Sequence, residues 1–186
     1  KEQVKVEFNE ITNKIKLINC VGGGSSAYGF WSEFIDFEKK QIELIGVEAG
    51  GPKKSTLHAA PLSRGAKLGI LHGAAAYCCQ DKEGQIKETE SISAGLDYPS
   101  VSPIHCFLKD TKRARYTYAT DEDALNAYQL VTKLENLNPS LEPSHAFAEA
   151  IKIAPGLSKD TIIIVNSCGD AKKDRDILKK RLGKTK

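Results

Sequence analysis

The chain has 186 residues, with 27 Lys and Arg against 24 Asp and Glu and a formal net charge of +3. That length suffices for one domain with a sizeable core, and so mild a charge argues against a nucleic-acid footprint. No apolar run approaches the about 20 residues needed to cross a bilayer, so neither nucleic acid nor membrane is an expected partner.

Residues 1–14 are charged and weakly patterned, an arm or a helix end. Ile15 to Val21 is apolar and of strand length. It runs into Val21-Gly22-Gly23-Gly24-Ser25-Ser26-Ala27, after which Tyr28, Trp31, Phe34 and Ile35 recur at helical spacing within 26–37. Strand, glycine loop and helix place backbone N–H donors at a helix N-terminus, where glycines let a phosphate approach without meeting a Cβ. The stretch reads as a phosphate cradle; the alternative is a plain tight turn. Ile42 to Glu48 is a second strand, completing a βαβ unit with a parallel pair.

Ser55 to Leu62 carries a short helix signal. Asp81-Lys82-Glu83-Gly84 is a hairpin-like turn between 74–80 and 85–90. Ser91 to Ser102, with Gly95 and Pro99, reads as a loop. A helix is expected over 103–109 and a strand over 116–119. Thr120-Asp121-Glu122-Asp123 has the form of a capping box with Asp in the fourth place. It opens a helix with an apolar face of Leu125, Tyr128, Leu130, Val131 and Leu134. A further helix spans 143–153 and ends at Ala154-Pro155-Gly156. Thr161 to Asn166 is β-branched and fit for a central parallel strand, with Ser167-Cys168-Gly169-Asp170 leaving its carboxyl end. A solvated amphipathic helix closes the chain over 173–182. There is no repeat and no internal linker, so residues 1–186 form a single α/β domain: a three-layer parallel sheet with helices on both faces.

The five cysteines, Cys20, Cys78, Cys79, Cys106 and Cys168, are odd in number and lack C-x-x-C spacing. They read as reduced, buried thiols in a cytoplasmic setting. A chain that starts at Lys1 and contains no methionine reads as a fragment or a product of processing. In open α/β sheets ligands sit beyond the carboxyl ends of the strands. The loops 22–26 and 167–170 meet on that rim, and the loop 91–102 and the helix start near Glu142 complete a pocket. Gly22-x-Gly24-x-x-Ala27 fits a dinucleotide fingerprint, with Glu48 as the ribose-binding acid. Nothing else in the chain offers hydride chemistry, so that reading is the lesser alternative.

Gly22-Gly23-Gly24-Ser25-Ser26-Ala27-Tyr28-Gly29 resembles the phosphate loop of the tryptophan synthase β subunit family, which are fold-type-II pyridoxal phosphate enzymes. Gly46-Val47-Glu48-Ala49-Gly50-Gly51, then Gly69 through His72-Gly73, then Asp81 to Ile86 follow in the family's order. Ser91-Ile92-Ser93-Ala94-Gly95-Leu96-Asp97-Tyr98-Pro99-Ser100-Val101 is the strongest match, and Leu141-Glu142-Pro143-Ser144-His145-Ala146 is another. Together they cover roughly residues 15 to 174.

The resemblance implies that backbone N–H groups of Gly22, Gly23, Gly24, Ser25 and Ser26 hold the phosphate of pyridoxal 5'-phosphate. Ser26 stands where the family usually has Asn. It implies Glu142 beside the pyridoxal ring, Asp97 in a mobile gate, and the carbonyls of Gly22, Tyr98 and Ser100 around a monovalent cation. Cys168 stands where the family's serine faces the pyridine nitrogen; it is also a neutral group, though a weaker hydrogen-bond donor.

The family's Schiff-base lysine lies upstream of anything present here, as do the gate's arginine partner and most of the α-subunit contact surface. The parent protein thus resembles a β-replacement enzyme, a lyase of tryptophan biosynthesis. It would join L-serine and indole into L-tryptophan and pair with an α subunit and a second β copy. The chain alone resembles its C-terminal cofactor domain and is expected to be inactive by itself. The alternative is a non-catalytic remnant or binding module of the same fold.

Overall fold

The computed structural model describes residues 14–169 and 171–183; apart from Lys14, the arm read over residues 1–14 lies outside them. Four parallel strands form the central sheet: β1 (Ile15–Cys20), β2 (Ile42–Ala49), β5 (Ala114–Ala119) and β6 (Ile162–Val165), in the order β5-β2-β1-β6. β1 lies between β2 and β6, with Ile18 opposite both Ile45 and Val165. Two short antiparallel strands, β3 (Lys67–Leu71) and β4 (Ala74–Cys78), make a separate hairpin.

Successive side chains of a strand face opposite sides, and here both sides are apolar. Ile15 and Leu17 of β1, Ile42 and Leu44 of β2, and Ile162 and Ile164 of β6 enter one core with Ala27, Trp31, Cys106 and Leu108. Those partners come from α1 (Ser25–Trp31) and α2 (Pro103–Asp110). Ile18, Cys20, Ile45 and Val47, with Ile163 and Val165, enter the other core with Ala146. Ala146 belongs to α4 (Leu141–Ile153), which packs across β1, β2, β5 and β6. Helices thus cover both faces of a parallel sheet, the expected fold class.

α4 is buried along its first turns, from Leu141 to Ala146. Pro143 is tolerated there because first-turn N–H groups have no partner within the helix. α3 (Asp121–Glu135) carries the capping box: Asp123 N–H donates to Thr120 Oγ1 at 3.2 Å, and Thr120 N–H donates to Asp123 Oδ2 at 3.0 Å. α5 (Arg175–Leu182) follows a 3₁₀ turn over Ala171–Asp174.

Several expectations need correction. The helix after the glycine loop is α-helical only to Trp31, with a 3₁₀ turn over Ser32–Phe34, and Tyr28 faces solvent. No helix forms over 55–62; Ala59 bridges to Ala49, and the chain there serves the side chain of Glu48. The principal hairpin is β3–β4, turning at His72 and Gly73, both with positive φ. The turn over 81–84 is hairpin-like as expected, closed by the Gln80–Ile86 bridge and by the Lys87 N–H donating to the Cys79 carbonyl at 2.9 Å. Among the described residues β6 is an edge strand and β1 and β2 are central; β6's four residues are half-buried. α3 buries Ala124, Ala127 and Val131, while Leu130 is 39% and Leu134 66% exposed. Leu125 and Tyr128 pack half-buried against Leu141 and Leu178 as the expected face requires, so only Leu130 and Leu134 depart from it.

These burials separate two truncations. Ile45→Ala, at a position 0% exposed in the sheet's centre, is expected to cost about 2–5 kcal/mol of stability. Leu134→Ala is expected to stay within about 0.5 kcal/mol of the parent. Urea unfolding followed by circular dichroism measures both.

Candidate functional site

A pocket of about 230 Å³ opens beyond the carboxyl end of β1. It is lined by Cys20, the loop Gly22–Ser26, Gly95 and Leu96, Glu142, Cys168, Gly169 and Lys173. The strand β1 delivers the loop, whose first residue Val21 is still paired to β2 through its N–H and the Val47 carbonyl, 2.8 Å. Among the described residues, no backbone carbonyl accepts from the N–H groups of Gly22, Gly23 or Gly24. The first N–H groups of α1 have no partner within the helix.

Gly24 has φ 101°, in the left-handed region, and a Cβ there would collide with the His105 ring. His105 is the loop's buried support. Its Nε2 donates to the Gly24 carbonyl at 2.7 Å, and its Nδ1 then accepts from the Tyr116 hydroxyl at 2.8 Å. Burial pushes its pKa down, which keeps the ring neutral in that relay. Trp31 packs edge-on against both rings. Nothing in the sequence reading marked His105, because its partners lie 81 and 11 residues away. By contrast, a Cβ on Gly23 would meet nothing within 4 Å.

Glu142, 6% exposed at the first turn of α4, sits across the pocket from the loop. Its Oε1 accepts from the Gly95 N–H at 3.0 Å and is ion-paired with Lys173 Nζ. Its Oε2 is buried and has no hydrogen-bond partner. Burial pushes the carboxyl up, but Lys173 and the backbone at the helix N-terminus outweigh it and hold the pKa at about 2. Close approach leaves no room for side chains between these parts: a Cβ on Gly22 would lie 2.6 Å from the Gly95 carbonyl oxygen, and one on Gly95 would strike Glu142.

Cys168 follows β6, half-buried, with its carbonyl accepting from the Ser140 hydroxyl at 3.0 Å. Its sulfur lies 3.6 Å from Cys20 Sγ. The shared hydrogen bond with Cys20 and a further one from Ser26 hold its pKa at about 6 against the upward pull of burial. The sequence reading took Cys168 as a lone neutral thiol; the structure makes it half of a pair. Ser26 Oγ accepts from Asn19 Nδ2 at 3.3 Å and from Asn166 Nδ2 at 3.4 Å.

The structure therefore brings Gly22, Gly23, Gly24, Ser25, Ser26, Glu142 and Cys168 together, and adds Lys173. Asp97 is exposed and does not line this pocket. Tyr98 and Ser100 line a neighbouring cavity that shares Gly23 but not Gly22. A roomier cavity of about 360 Å³ lies largely between α3 and α4 and contains none of these residues. Glu48 does not reach any ligand site. It is 1% exposed, with both oxygens engaged by Leu62 N–H, Ser63 N–H and the Ser63 hydroxyl, and burial pushes its pKa up to about 7. The dinucleotide alternative thus loses its ribose-binding acid.

The fold and the pocket define a parallel α/β domain in which a glycine loop with N–H groups unpaired among the described residues faces a carboxylate–ammonium pair. No family model matches the chain. It is 50% identical over 175 residues to tryptophan synthase beta chain 1 of Chlamydia caviae, covering 92% of this chain and 42% of that one. It is 50% identical over 159 residues to the tryptophan synthase beta chain of Chromobacterium violaceum, covering 85% and 39%. The Bradyrhizobium sp. (strain ORS 278) beta chain is 41% identical over 186 residues, covering 97% and 45%. The chain is a sequence relative of the tryptophan synthase β chains and spans less than half the length of those it matches. Among solved structures, a fungal L-serine ammonia-lyase from Rhizomucor miehei superposes with a TM-score of 0.58 at 17% identity, covering 94% of this chain and 53% of that one. At that identity the likeness is one of fold.

Two outcomes test this geometry. Gly24→Ala is expected to cost about 1–3 kcal/mol of stability, whereas Gly23→Ala stays within about 0.5 kcal/mol of the parent; urea titrations compare them. Acid should act through Glu142. Its pKa is depressed from 4.5 to about 2 in the folded chain, so its stabilisation is full above pH 4.5 and is lost as pH falls toward 2. Glu142→Gln should therefore flatten the acid limb of the stability–pH curve across that window, measured by thermal unfolding.

Proposed function

We propose that the pocket binds pyridoxal 5'-phosphate and that the chain is the cofactor-binding portion of a tryptophan synthase β-type enzyme. The observation that carries this reading is the convergence, in one pocket, of the loop Gly22–Ser26, Glu142 and Cys168 from three distant parts of the chain. The donor set fits the group. N–H donors without backbone acceptors and a glycine with open space above it suit a phosphate. The buried, unpartnered Oε2 of Glu142 supplies a polar atom for the ring side.

In this reading the N–H groups of Gly22, Gly23, Gly24, Ser25 and Ser26 hold the phosphate. The Cys168 sulfur faces the ring nitrogen. Glu142 stays ionised at neutral pH, positioned by Lys173 and the Gly95 N–H, and orders charge beside the ring. Bound there, the cofactor supplies an electron sink for the substrate's α-carbon. The overall reaction replaces the hydroxyl of L-serine by indole to give L-tryptophan, in the cytoplasm. Asp97, exposed on the 91–102 loop, serves the closed state. The carbonyls of Gly22, Tyr98 and Ser100 take a monovalent cation. An α subunit and a second β copy are the partners of the whole protein. The nucleophilic lysine comes from a part of the parent outside this chain, so the chain alone makes no tryptophan.

The test is an absorbance titration of the chain with pyridoxal phosphate, competed by inorganic phosphate. Saturable binding that phosphate displaces is expected, weakened by Gly23→Ala without loss of stability. Borohydride reduction and peptide mapping should leave no lysine stoichiometrically labelled. Binding indifferent both to phosphate and to Gly23→Ala overturns the loop as the phosphate site; one fully labelled lysine with indole consumption overturns the missing nucleophile.

A further inference from the structure

We propose that Cys20 and Cys168 form a reversible disulfide across the wall of the pocket, making the pair a site of oxidative modification that closes the ligand site. Both thiols are free, both line the pocket, and their sulfurs are 3.6 Å apart. The proximity is built into the sheet. Cys20 ends β1, and β6 runs beside it with Ile18 opposite Val165 and the Asn166 N–H donating to the Ile18 carbonyl at 3.1 Å. Two residues further along each strand, the register delivers the chain of residue 167 alongside Cys20, and Cys168 follows at once.

A disulfide needs the sulfurs at about 2.05 Å, so one side must move. Cys20 is buried at 4% exposure within a central strand. Cys168 lies beyond β6 and is followed by Gly169, whose φ of 95° belongs to the left-handed region. The adjustment therefore falls on the 167–169 segment, which also walls the pocket. The remaining cysteines are differently engaged. Cys78 Sγ contacts the Ser100 hydroxyl at 3.2 Å, Cys79 lies against His58, and Cys106 Sγ accepts from the Tyr77 N–H at 3.3 Å. All three are buried.

The oxidant is a hydroperoxide. The half-exposed Cys168 sulfur, as thiolate, attacks one peroxide oxygen. The S–O bond forms, the O–O bond breaks, and the leaving oxygen departs as water after taking a proton, leaving a sulfenic acid. The Cys20 sulfur then attacks the Cys168 sulfur. The S–S bond forms, the S–O bond breaks, and the departing hydroxide leaves as water with the Cys20 proton. Two thiols and one hydrogen peroxide give one disulfide and two waters. A dithiol reverses the bond by exchange. Oxidation moves the Cys168 sulfur toward β1 and draws in the segment whose carbonyl Ser140 holds, so the pocket narrows between the Gly22–Ser26 loop and Glu142.

The experiment treats the chain with hydrogen peroxide, alkylates remaining thiols and maps a non-reduced digest by mass spectrometry. The expected product links the Cys20 and Cys168 peptides, disappears with dithiothreitol, and leaves Cys78, Cys79 and Cys106 alkylatable. Cys20→Ser, checked for folding by circular dichroism, should instead give a dimedone-reactive Cys168 and no cross-link. Cys20 remaining alkylatable while Cys168 passes to sulfinic acid, or a link through Cys78 or Cys79 formed first, overturns the pair. Closure is read separately, as a loss of about tenfold or more in affinity for pyridoxal phosphate after oxidation, and this part rests on the proposed function. Equal affinity before and after oxidation overturns closure. A reduced chain that binds neither pyridoxal phosphate nor inorganic phosphate overturns the proposed function and closure together, while the cross-link is still decided by mass.

Discussion

The buried carboxylate of Glu142 is the constraint on which the site depends. It takes the Gly95 N–H from the 91–102 loop and the ammonium of Lys173 from the turn before α5, while standing at the N-terminus of α4. Removing a charge from water costs several kcal/mol unless it is paired and hydrogen-bonded, and a helix N-terminus favours a negative charge. One side chain thereby fixes three segments separated by tens of residues. A second tie acts alongside it: Asp174 Oδ2 accepts from the Leu141 N–H at 2.7 Å, which caps the first turn of α4 from the same C-terminal turn. The glycines at 22, 95 and 169 are the counterpart of this tight fastening, since a Cβ at any of them would strike a neighbouring part of the site.

How much of this could be read from the sequence follows from the range of the interactions. β1, β2, the capping box at Thr120 and the bounds of α4 were legible because hydrophobic runs and caps are local signals. The edge position of β6 was not. Its isoleucines look like those of a central strand, and only strand order reveals the difference. The β3–β4 hairpin was missed because its two-residue turn, His72-Gly73, has a histidine at a positive-φ position that Asn, Asp or Gly more often marks. The misassigned helix at 55–62 has a tertiary cause: Leu62 and Ser63 spend their N–H groups on the Glu48 carboxylate.

At the site, the loop, Glu142 and Cys168 were singled out through a family pattern, and the structure brings them into one pocket. Lys173, His105 and Cys20 carried no signal of their own. Each acts on a residue at least 31 positions away. The glycine motif with Glu48 shows the opposite failure. A short pattern at plausible spacing pointed to a ribose, yet the acid is turned inward and shared with the chain's own backbone.

The order of strands has a bearing on how the chain matures on a ribosome. β1 is made well before one of its two partners, β6, and Cys20 waits for a neighbour 148 residues later. At about 5–20 residues per second that interval is on the order of 10–30 s. Throughout it, one edge of an apolar strand stays unpaired and the pocket lacks the wall that Cys168 and Gly169 supply. Pairing this distant is slow and leaves such edges open to aggregation. Until Val165 docks beside Ile18, that edge is a template on which another chain can pair.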